Sequence, residues 1–329
     1  MPGCPPPGTQ VAYGARVFAC GATAGMLADA ALGDPRRGHP VAAFGRAAAA
    51  VERALWRDDR ARGALHTLVC AGGALGVAVL AGRAVRRSPA AATALTAAAT
   101  WAVVGGTTLG REARAVGAAL AAGELTAARA RLPHLCGRDP EALDAGQLAR
   151  AVVESVAENT SDAVVGALVW GAVAGVPGLV AFRAVNTLDA MVGHRSPRYL
   201  RYGWASARLD DAAGAPGARL TALLAAALGG APRSALRAWR TDAGRHPSPN
   251  AGPVEAAFAG ALGVRLGGTL AYGGRVEHRP VLNAAGRAVR VEDVPRAIRL
   301  SRRVSWGALV VCAGGRLLVE RAARKAGTV

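Results

Sequence analysis

Acidic and amide side chains stand on both sides of one long uncharged segment. Glu154, Glu158 and Asp162 precede it at intervals of four residues, which would place three carboxylates on one face of a helix. Such a row repels itself unless a cation binds, and Mg²⁺ prefers one or two carboxylates together with phosphate oxygens. The row is therefore a candidate metal site. The alternative is a solvated helix face on which Asp162 caps the next helix.

Further polar side chains are grouped in short blocks that suit binding of phosphate, metal or substrate. The blocks are "GDPRRGHP" with Asp34 and His39, "ENTSD" with Asn159, "NTLD" with Asn186, "SARLDD" with Arg208, Asp210 and Asp211, and "HPSPNAG" with His246, Ser248 and Asn250. Each block also has a simpler interpretation. Gly-Asp-Pro is a common turn, and an arginine beside aspartates is often a surface pair that contributes little.

Five apolar segments are close to the length of a membrane span and would hold these blocks at a membrane. They are 11–32, 64–82, 90–110, 163–182 and 304–319. About 20 apolar residues cross a bilayer, although Arg316 makes the fifth segment a weak candidate that could lie in the interface. We therefore expect an all-α, multi-pass integral membrane protein, with a disordered N-terminus at 1–10 and a single domain from 11 to 329. A soluble alanine-rich bundle is the alternative.

The fourth segment contains "GVPG" at 175–178, in the middle of its apolar run. Proline interrupts the helical hydrogen bonds, and the flanking glycines permit a reversal of the chain. The pattern predicts a re-entrant helical hairpin that brings "ENTSD" and "NTLD" together in one pocket. A proline-kinked span that crosses the bilayer is the alternative.

Arginine sets the charge and the predicted orientation. The formal net charge is +18, and Lys325 is the only lysine. The loop 33–63 holds seven arginines and the stretch 111–150 holds six, whereas the connector 83–88 holds three. The positive-inside rule therefore makes the first two cytoplasmic. The sequence predicts long cytoplasmic loops and an active site that faces the cytoplasm from the cell (inner) membrane. It has no nucleic-acid-binding motif, so nucleic acid is not an expected partner. Alternation in "RVEHRPVLNAAGRAVRVED" suggests a small β-hairpin around Asn-Ala-Ala-Gly.

Four blocks in order resemble the adenosylcobinamide-phosphate synthase family of cobalamin biosynthesis (CobD/CbiB). They are "LGDPRRGHPVAAFGR", "ESVAENTSDAVVGALVWGAVAGVPGLVAFRAVNTLDAMVGH", "YGWASARLDDAAGAPGARLTALL" and "HPSPNAGPVEAAFAGALGVRLGG". Ala163 departs from the family's usual glycine, and "GPVEAA" from its aromatic-Pro-Glu. The resemblance implies a membrane enzyme that joins adenosylcobyric acid to aminopropanol or its phosphate through an amide bond. It also implies ATP and Mg²⁺ as cofactors, the lipid bilayer as surroundings, and association with other corrin-pathway enzymes.

Under this resemblance, roles can be assigned to the polar residues. The expected catalytic residues are Asp34, His39, Glu158, Asn159 and His246, with either histidine taking the amine's proton. The expected substrate and phosphate residues are Asn186, Arg208, Asp210, Asp211, Arg219, Ser248 and Asn250. The expected metal ligands are Glu154, Glu158, Asp162 and Asp189. A transporter with a broken-helix site and a non-catalytic scaffold for corrin enzymes are the alternative functions.

Overall fold

Most of the chain is helical in the computed structural model, which describes residues 7–34, 38–141, 143–272 and 275–326. The α-helices are α1 Pro7–Leu32, α2 Pro40–Leu55, α3 Arg60–Val85, α4 Pro89–Val103, α5 Gly106–Ala121, α6 Leu125–Arg131, α7 Ala145–Thr160, α8 Gly166–Val192, α9 Trp204–Leu228, α10 Pro232–Asp242, α11 Ala251–Leu262 and α12 Asp293–Lys325. A π-helical turn, Ser161–Val165, joins α7 to α8. Because α1 begins at Pro7, residues 7–10 of the predicted disordered N-terminus are helical, and residues 1–6 lie outside the described part.

Two strands correct the all-α prediction. The strands β1, Leu266–Tyr272, and β2, Arg275–Leu282, pair antiparallel, so the predicted hairpin lies earlier than expected. The Asn-Ala-Ala-Gly turn does not join two strands because Asn283 ties it to the end of α11. The Asn283 side chain donates to the carbonyl oxygen of Val264 at 2.8 Å, and its backbone amide donates to Asp242 at 2.8 Å.

The chain divides into two compact units. Unit 1 comprises residues 1–105, 166–213 and 309–329, and unit 2 comprises residues 106–165 and 214–308. In unit 1, α1 packs mainly on α4, and α3 and α4 pack on α8. In unit 2, α7 contacts α5 and α11, and α10 packs on α11. Every residue of α11 is buried, so this helix forms the core of unit 2. The prediction of one domain from 11 to 329 stays a prediction.

Two glycines spaced by four residues allow α1 and α4 to approach closely. A Cβ on Gly21 would lie 2.5 Å from the Cβ of Thr96, and one on Gly25 would lie 2.5 Å from the Cβ of Thr100. Larger side chains at either position would separate the helices. This Gly-x-x-x-Gly contact is typical of helix pairs in membranes, where close van der Waals packing drives association.

Helix α8 is broken at Gly175 and folds back on itself. Gly175 has φ 66° and ψ −145°, outside the helical region. A Cβ on Gly178 would collide with the Trp170 carbonyl oxygen, and one on Gly166 would collide with the Phe182 ring. In a continuous helix residues 166 and 182 would be about 24 Å apart, so these contacts require the chain to reverse. The predicted helical hairpin is therefore present, and the kinked straight helix is excluded.

The guanidinium group of Arg316 supports the tip of this hairpin. The break at Gly175 leaves the last carbonyl groups of the first arm without helical partners. Arg316 donates to the carbonyl oxygens of Gly171 at 2.9 Å and Ala172 at 3.0 Å, and it lies over the Phe18 ring at 5.4 Å. The charge that interrupts the fifth apolar segment thus has a structural role.

By length and composition, four helical stretches of the described residues could cross a membrane. They are Gly14–Leu32, Arg60–Val85, Pro89–Ala121 and Ala145–Val192. They correspond to the first four predicted segments and indicate a membrane protein. The third is interrupted, because α4 ends at Val103 and α5 begins at Gly106. The fifth, 304–319, is not among them, since it lies inside the charged helix α12.

Candidate functional site

Glu154 lies at the centre of a buried ionic cluster in unit 2. Its carboxylate pairs with Arg138, and both side chains are almost fully buried. The other carboxylate oxygen accepts a hydrogen bond from the Gly267 amide at 2.6 Å. Both oxygens of Glu154 are therefore engaged, and binding a metal would require it to give up these partners. The predicted role as a metal ligand does not fit this arrangement, because nearby donors already neutralise the charge.

Gly267 brings the backbone close enough to reach Glu154. Its φ of 78° is in the left-handed region, and a Cβ there would collide with the carbonyl oxygen of Pro280. Its own carbonyl oxygen accepts from Arg150 at 2.5 Å. The Gly-Gly pair at 267–268 thus holds side chains of α7, and the Gly267 amide is occupied by Glu154.

Glu158, Asn159 and Asp162 follow Glu154 along the same stretch of chain. Glu158 is exposed, while Asn159 and Asp162 are half-buried. The Asn159 amide donates to the carbonyl oxygen of Ser155 at 2.9 Å. Asp162 lies in the π-helical turn, a feature that occurs frequently at functional sites. The metal-ligand roles of Glu158 and Asp162 stay predictions.

The described residues contain no group of three or more histidine, cysteine or acidic side chains placed to hold a metal ion. The four predicted metal ligands accordingly do not form a cage within them. Mg²⁺ does not require one, because it commonly keeps several waters and takes one or two carboxylates with substrate phosphates. The chemistry of Glu158 and Asp162 fits that second arrangement.

His246 and Glu255 form a second buried pair in unit 2. Nε2 of His246 lies 3.8 Å from Oε1 of Glu255, and only 3% and 4% of the two side chains is exposed. The Ser248 backbone amide donates to Nδ1 of His246 at 3.1 Å. Burial lowers the pKa of His246, and the nearby Arg279 lowers it further, although the Ser248 carbonyl and Glu154 act the other way. The hydrogen bond from the Ser248 amide and the lowered pKa both favour a neutral imidazole for His246.

Burial and the charges of neighbouring carboxylates raise the pKa of Glu255 well above 4.5. Glu154 and Glu158 disfavour its ionised form, and Arg138 and Arg279 offset only part of that effect. Glu255 is therefore favoured as a neutral acid in the fold. The sequence places Glu255 near the start of a helix and suggests a simple helix-end charge, so this role is not evident from the sequence.

Arg219, Ser248 and Asn250 are brought together beside the His246 loop. Arg219 donates to Oδ1 of Asn250 at 2.8 Å, and the Ser248 hydroxyl accepts from the amide of Ala251 at 3.1 Å, at the start of α11. A Cβ on Gly214 would lie 2.5 Å from Nδ2 of Asn250. The predicted residues His246, Ser248, Asn250 and Arg219 thus form one cluster, and the Arg219 side chain is exposed on it.

A third polar group joins the end of α8 to the start of α9 in unit 1. Nδ2 of Asn186 lies 3.4 Å from Oδ1 of Asp210, and Arg208 pairs with Asp211 at 3.8 Å. Asp189 interacts electrostatically with Asp211 and with His194. A Cβ on Gly193 would collide with the Asp189 carboxylate, so a glycine is needed there. The structure therefore brings together Asn186, Asp189, Arg208, Asp210 and Asp211.

The "GDPRRGHP" block follows α1 in unit 1, and its Arg36 and Arg37 lie outside the described residues. His39 caps α2, because its Nδ1 accepts from the Val41 amide at 3.2 Å. Nδ1 is thus used structurally, while the ring is half-buried. Asp34 is also half-buried, and a Cβ on Gly105 would lie 3.8 Å from its carboxylate. Trp101 holds the start of the block by donating to the Gly33 carbonyl oxygen at 2.9 Å.

Three residues of these clusters are not predicted as site residues from sequence. Arg138 stands in "CGRDP", which has the composition of a turn. Glu255 has the pattern of a helix-end charge, and His194 ends the block that contains Asp189. Only contacts between distant parts of the chain distinguish them. The meeting of "ENTSD" with "NTLD" stays a prediction, because Glu158 belongs to unit 2 and Asn186 to unit 1.

Comparison with known proteins identifies the family. The family model described as "CobD/Cbib protein" matches residues 22–301. The chain belongs to the CobD/Cbib family. The matched range contains every predicted site residue, from Asp34 to Asn250, and ends before Arg316, the residue that supports the hairpin tip.

Curated relatives from several bacteria carry the name "Cobalamin biosynthesis protein CobD". The Mycobacterium tuberculosis protein is 54% identical over 299 residues, covering 89% of this chain and 94% of its own length. The Chromobacterium violaceum protein is 45% identical, covering 85% and 91%. The Rhizobium meliloti protein is 42% identical, covering 83% and 89%. No solved structure matches this chain.

Proposed function

We infer that this chain is an adenosylcobinamide-phosphate synthase of cobalamin biosynthesis. The family match over residues 22–301 carries this conclusion, and the relatives cover nearly the whole chain. The reaction forms an amide between adenosylcobyric acid and aminopropanol or its phosphate. The four sequence blocks that resemble the family imply the same reaction. Two substrates must be oriented and an unreactive carboxylate activated, so the protein needs groups that position substrates and neutralise phosphate charge.

ATP and Mg²⁺ are the cofactors proposed for this reaction. When bound, ATP supplies the phosphoryl group that activates the carboxylate, and Mg²⁺ neutralises phosphate charge. Glu158 and Asp162 would hold the ion, because both oxygens of Glu154 are already bonded. Arg219, exposed beside Asn250, would bind a phosphate or a carboxylate of the corrin. In unit 1, Arg208 and Asn186 would bind and orient substrate beside the carboxylates Asp189, Asp210 and Asp211.

His39 is the better of the two predicted proton acceptors. Its ring is half-buried, so a substrate amine can reach it. Because Nδ1 accepts from the Val41 amide, the neutral ring carries its hydrogen on Nε2, and Nδ1 must release that amide to take the amine's proton. His246 is almost fully buried against Glu255, so substrate contact would need its loop to open. We assign His246 to positioning the loop that carries Ser248 and Asn250.

The protein is proposed to lie in the cell membrane with its site on the cytoplasmic side. Four helical stretches are long and apolar enough to span, and the arginine-rich loops 33–63 and 111–150 favour the cytoplasm. The hairpin in α8 is proposed to be re-entrant. Its second arm, Val176–Val192, would be about 26 Å long, short of a bilayer core of about 30 Å.

The activity is tested with purified protein in detergent, supplied with adenosylcobyric acid, aminopropanol phosphate, ATP and Mg²⁺. Amidated corrin detected by mass spectrometry supports the synthase. A broken helix is also found in transporters, so the same preparation is placed in proteoliposomes. Movement of corrin across the vesicle membrane without amide formation would favour transport. If neither amide formation nor transport is detected, the scaffold alternative is favoured.

Glu158→Gln should reduce product formation by about 100-fold or more, because it removes a negative charge from the proposed ion site. Glu158 is exposed, so the fold should be retained. Glu124→Gln, at another exposed glutamate of unit 2, is the matched control and should keep full activity. Equal activity of the two variants would remove Glu158 from the site.

A further inference from the structure

A cavity of about 440 Å³ in unit 1 has no part in the function described above. It lies among α2, α3, α4 and the second arm of the α8 hairpin. Its walls are almost entirely apolar, with Phe44 and Val51 on one side and Val103 and Val180 on others. The volume falls within the range of known ligand pockets, about 300–1,000 Å³. The composition of the walls indicates a hydrocarbon ligand.

The cavity opens on an apolar outer face of α3. Val69, Gly73 and Val77 line it and are also exposed. Leu65 and Leu80 continue the same stripe at helical spacing and are exposed as well. Because α3 is long and apolar enough to span a membrane, this face would contact lipid chains. A ligand could thus enter sideways from the bilayer.

Arg183 gives the cavity one charged group. Among the described residues that line it, Arg183 is the only charged side chain. An apolar chain with an anionic head matches the apolar walls and this arginine.

We propose that this cavity binds one acyl chain of an anionic phospholipid, whose phosphate is held by Arg183. None of the described residues that line this cavity is among the residues proposed for amide formation.

The acyl-chain site is tested on the full-length protein in liposomes that contain phosphatidylglycerol with a photoreactive acyl chain. We expect cross-links on the α2, α3 and α8 peptides that line the cavity. Gly73→Leu should reduce them by about tenfold, because its side chain extends into open space at the mouth. Gly76→Leu is the matched control, since neither glycine has a neighbour within 4 Å of an added Cβ and Gly76 does not line the cavity. Equal labelling of the two variants would overturn the proposal.

The headgroup contact is tested with Arg183→Gln and, as a control, the exposed α2 variant Arg53→Gln. Arg183→Gln should remove the preference for phosphatidylglycerol over phosphatidylcholine, while Arg53→Gln should keep it. Equal labelling of wild type by both lipids would refute the role of Arg183. Competition by free inorganic phosphate would indicate an ion site without an acyl chain. Competition by adenosylcobyric acid would assign the cavity to substrate, and either result would overturn the lipid proposal.

Discussion

Glu255 shows how burial fixes a protonation state. In the folded protein its raised pKa keeps it neutral in a pH range where the unfolded chain would ionise it. The folded state therefore holds one more proton above pH 4.5, and stability falls as the pH rises through that range. His246 acts in the opposite direction, since its lowered pKa reduces stability as the pH falls below 6.5.

Glu255→Gln should relieve the loss of stability that accompanies a rise in pH above 4.5. The amide keeps the shape of the neutral acid but cannot ionise, so the Tm of the variant should gain on that of the wild type as the pH rises from about 4.5. Thermal unfolding in detergent across this range measures the difference. Glu124→Gln should show no such trend, and a constant Tm difference for Glu255→Gln would mean that Glu255 is ionised in the fold.

The Arg138–Glu154 pair is predicted to stabilise unit 2. Glu154→Ala would leave a buried guanidinium group without its partner, at a cost of about 3–5 kcal/mol. The double variant Arg138→Met with Glu154→Leu should recover most of that loss, because both charges are removed together. Denaturant unfolding in detergent measures both variants. Full stability of Glu154→Ala with loss of product would instead restore Glu154 to the metal site.

At the scale of the elements, the α8 hairpin decides where the polar blocks can lie. Gly175 supplies the reversal, and Arg316 pairs with carbonyl groups that the reversal leaves open. A tip that carried unpaired carbonyl groups would be costly in lipid, where no water can satisfy them. In a re-entrant hairpin, this arginine from α12 would make the broken helix tolerable at membrane depth.

Val173→Cys tests whether the hairpin is re-entrant. Val173 is 69% exposed near the tip, and Ala190 is exposed near the base. In a background without the five native cysteines, a membrane-impermeant thiol reagent should reach Ala190→Cys from the cytoplasmic face. It should not reach Val173→Cys from either face of sealed vesicles. Reaction of Val173→Cys from the outer face would show that both arms span.

At the scale of the whole molecule, apolar stretches and arginine-rich loops together predict insertion in the membrane. The protein should stay with membranes after an alkaline carbonate wash and should require detergent for release, because stretches of about 20 apolar residues are not stable in water. Immunoblots of the washed membrane and supernatant fractions measure this. Release into the supernatant would support the soluble alanine-rich bundle.

The sequence by itself determined the helical character, four candidate membrane segments, the family and the break near Gly175. These depend on local properties: run length, the chemistry of glycine and proline, and short blocks of polar residues. Local chemistry also grouped Asn186 with Asp189, and His246 with Ser248 and Asn250, since each set lies within a few residues of chain.

Only the tertiary structure decided how the carboxylates are used. In the sequence Glu154 and Glu158 look alike, because both stand in a row with four-residue spacing. In the structure Glu154 is bound by Arg138 and by the amide of Gly267, more than 100 residues later, whereas Glu158 is exposed. The tertiary structure also decided the environment of Glu255, whose neighbours come from other elements, and the pairing of β1 with β2. These features depend on contacts between residues far apart in sequence, and the environment of a charge follows from such packing rather than from local pattern.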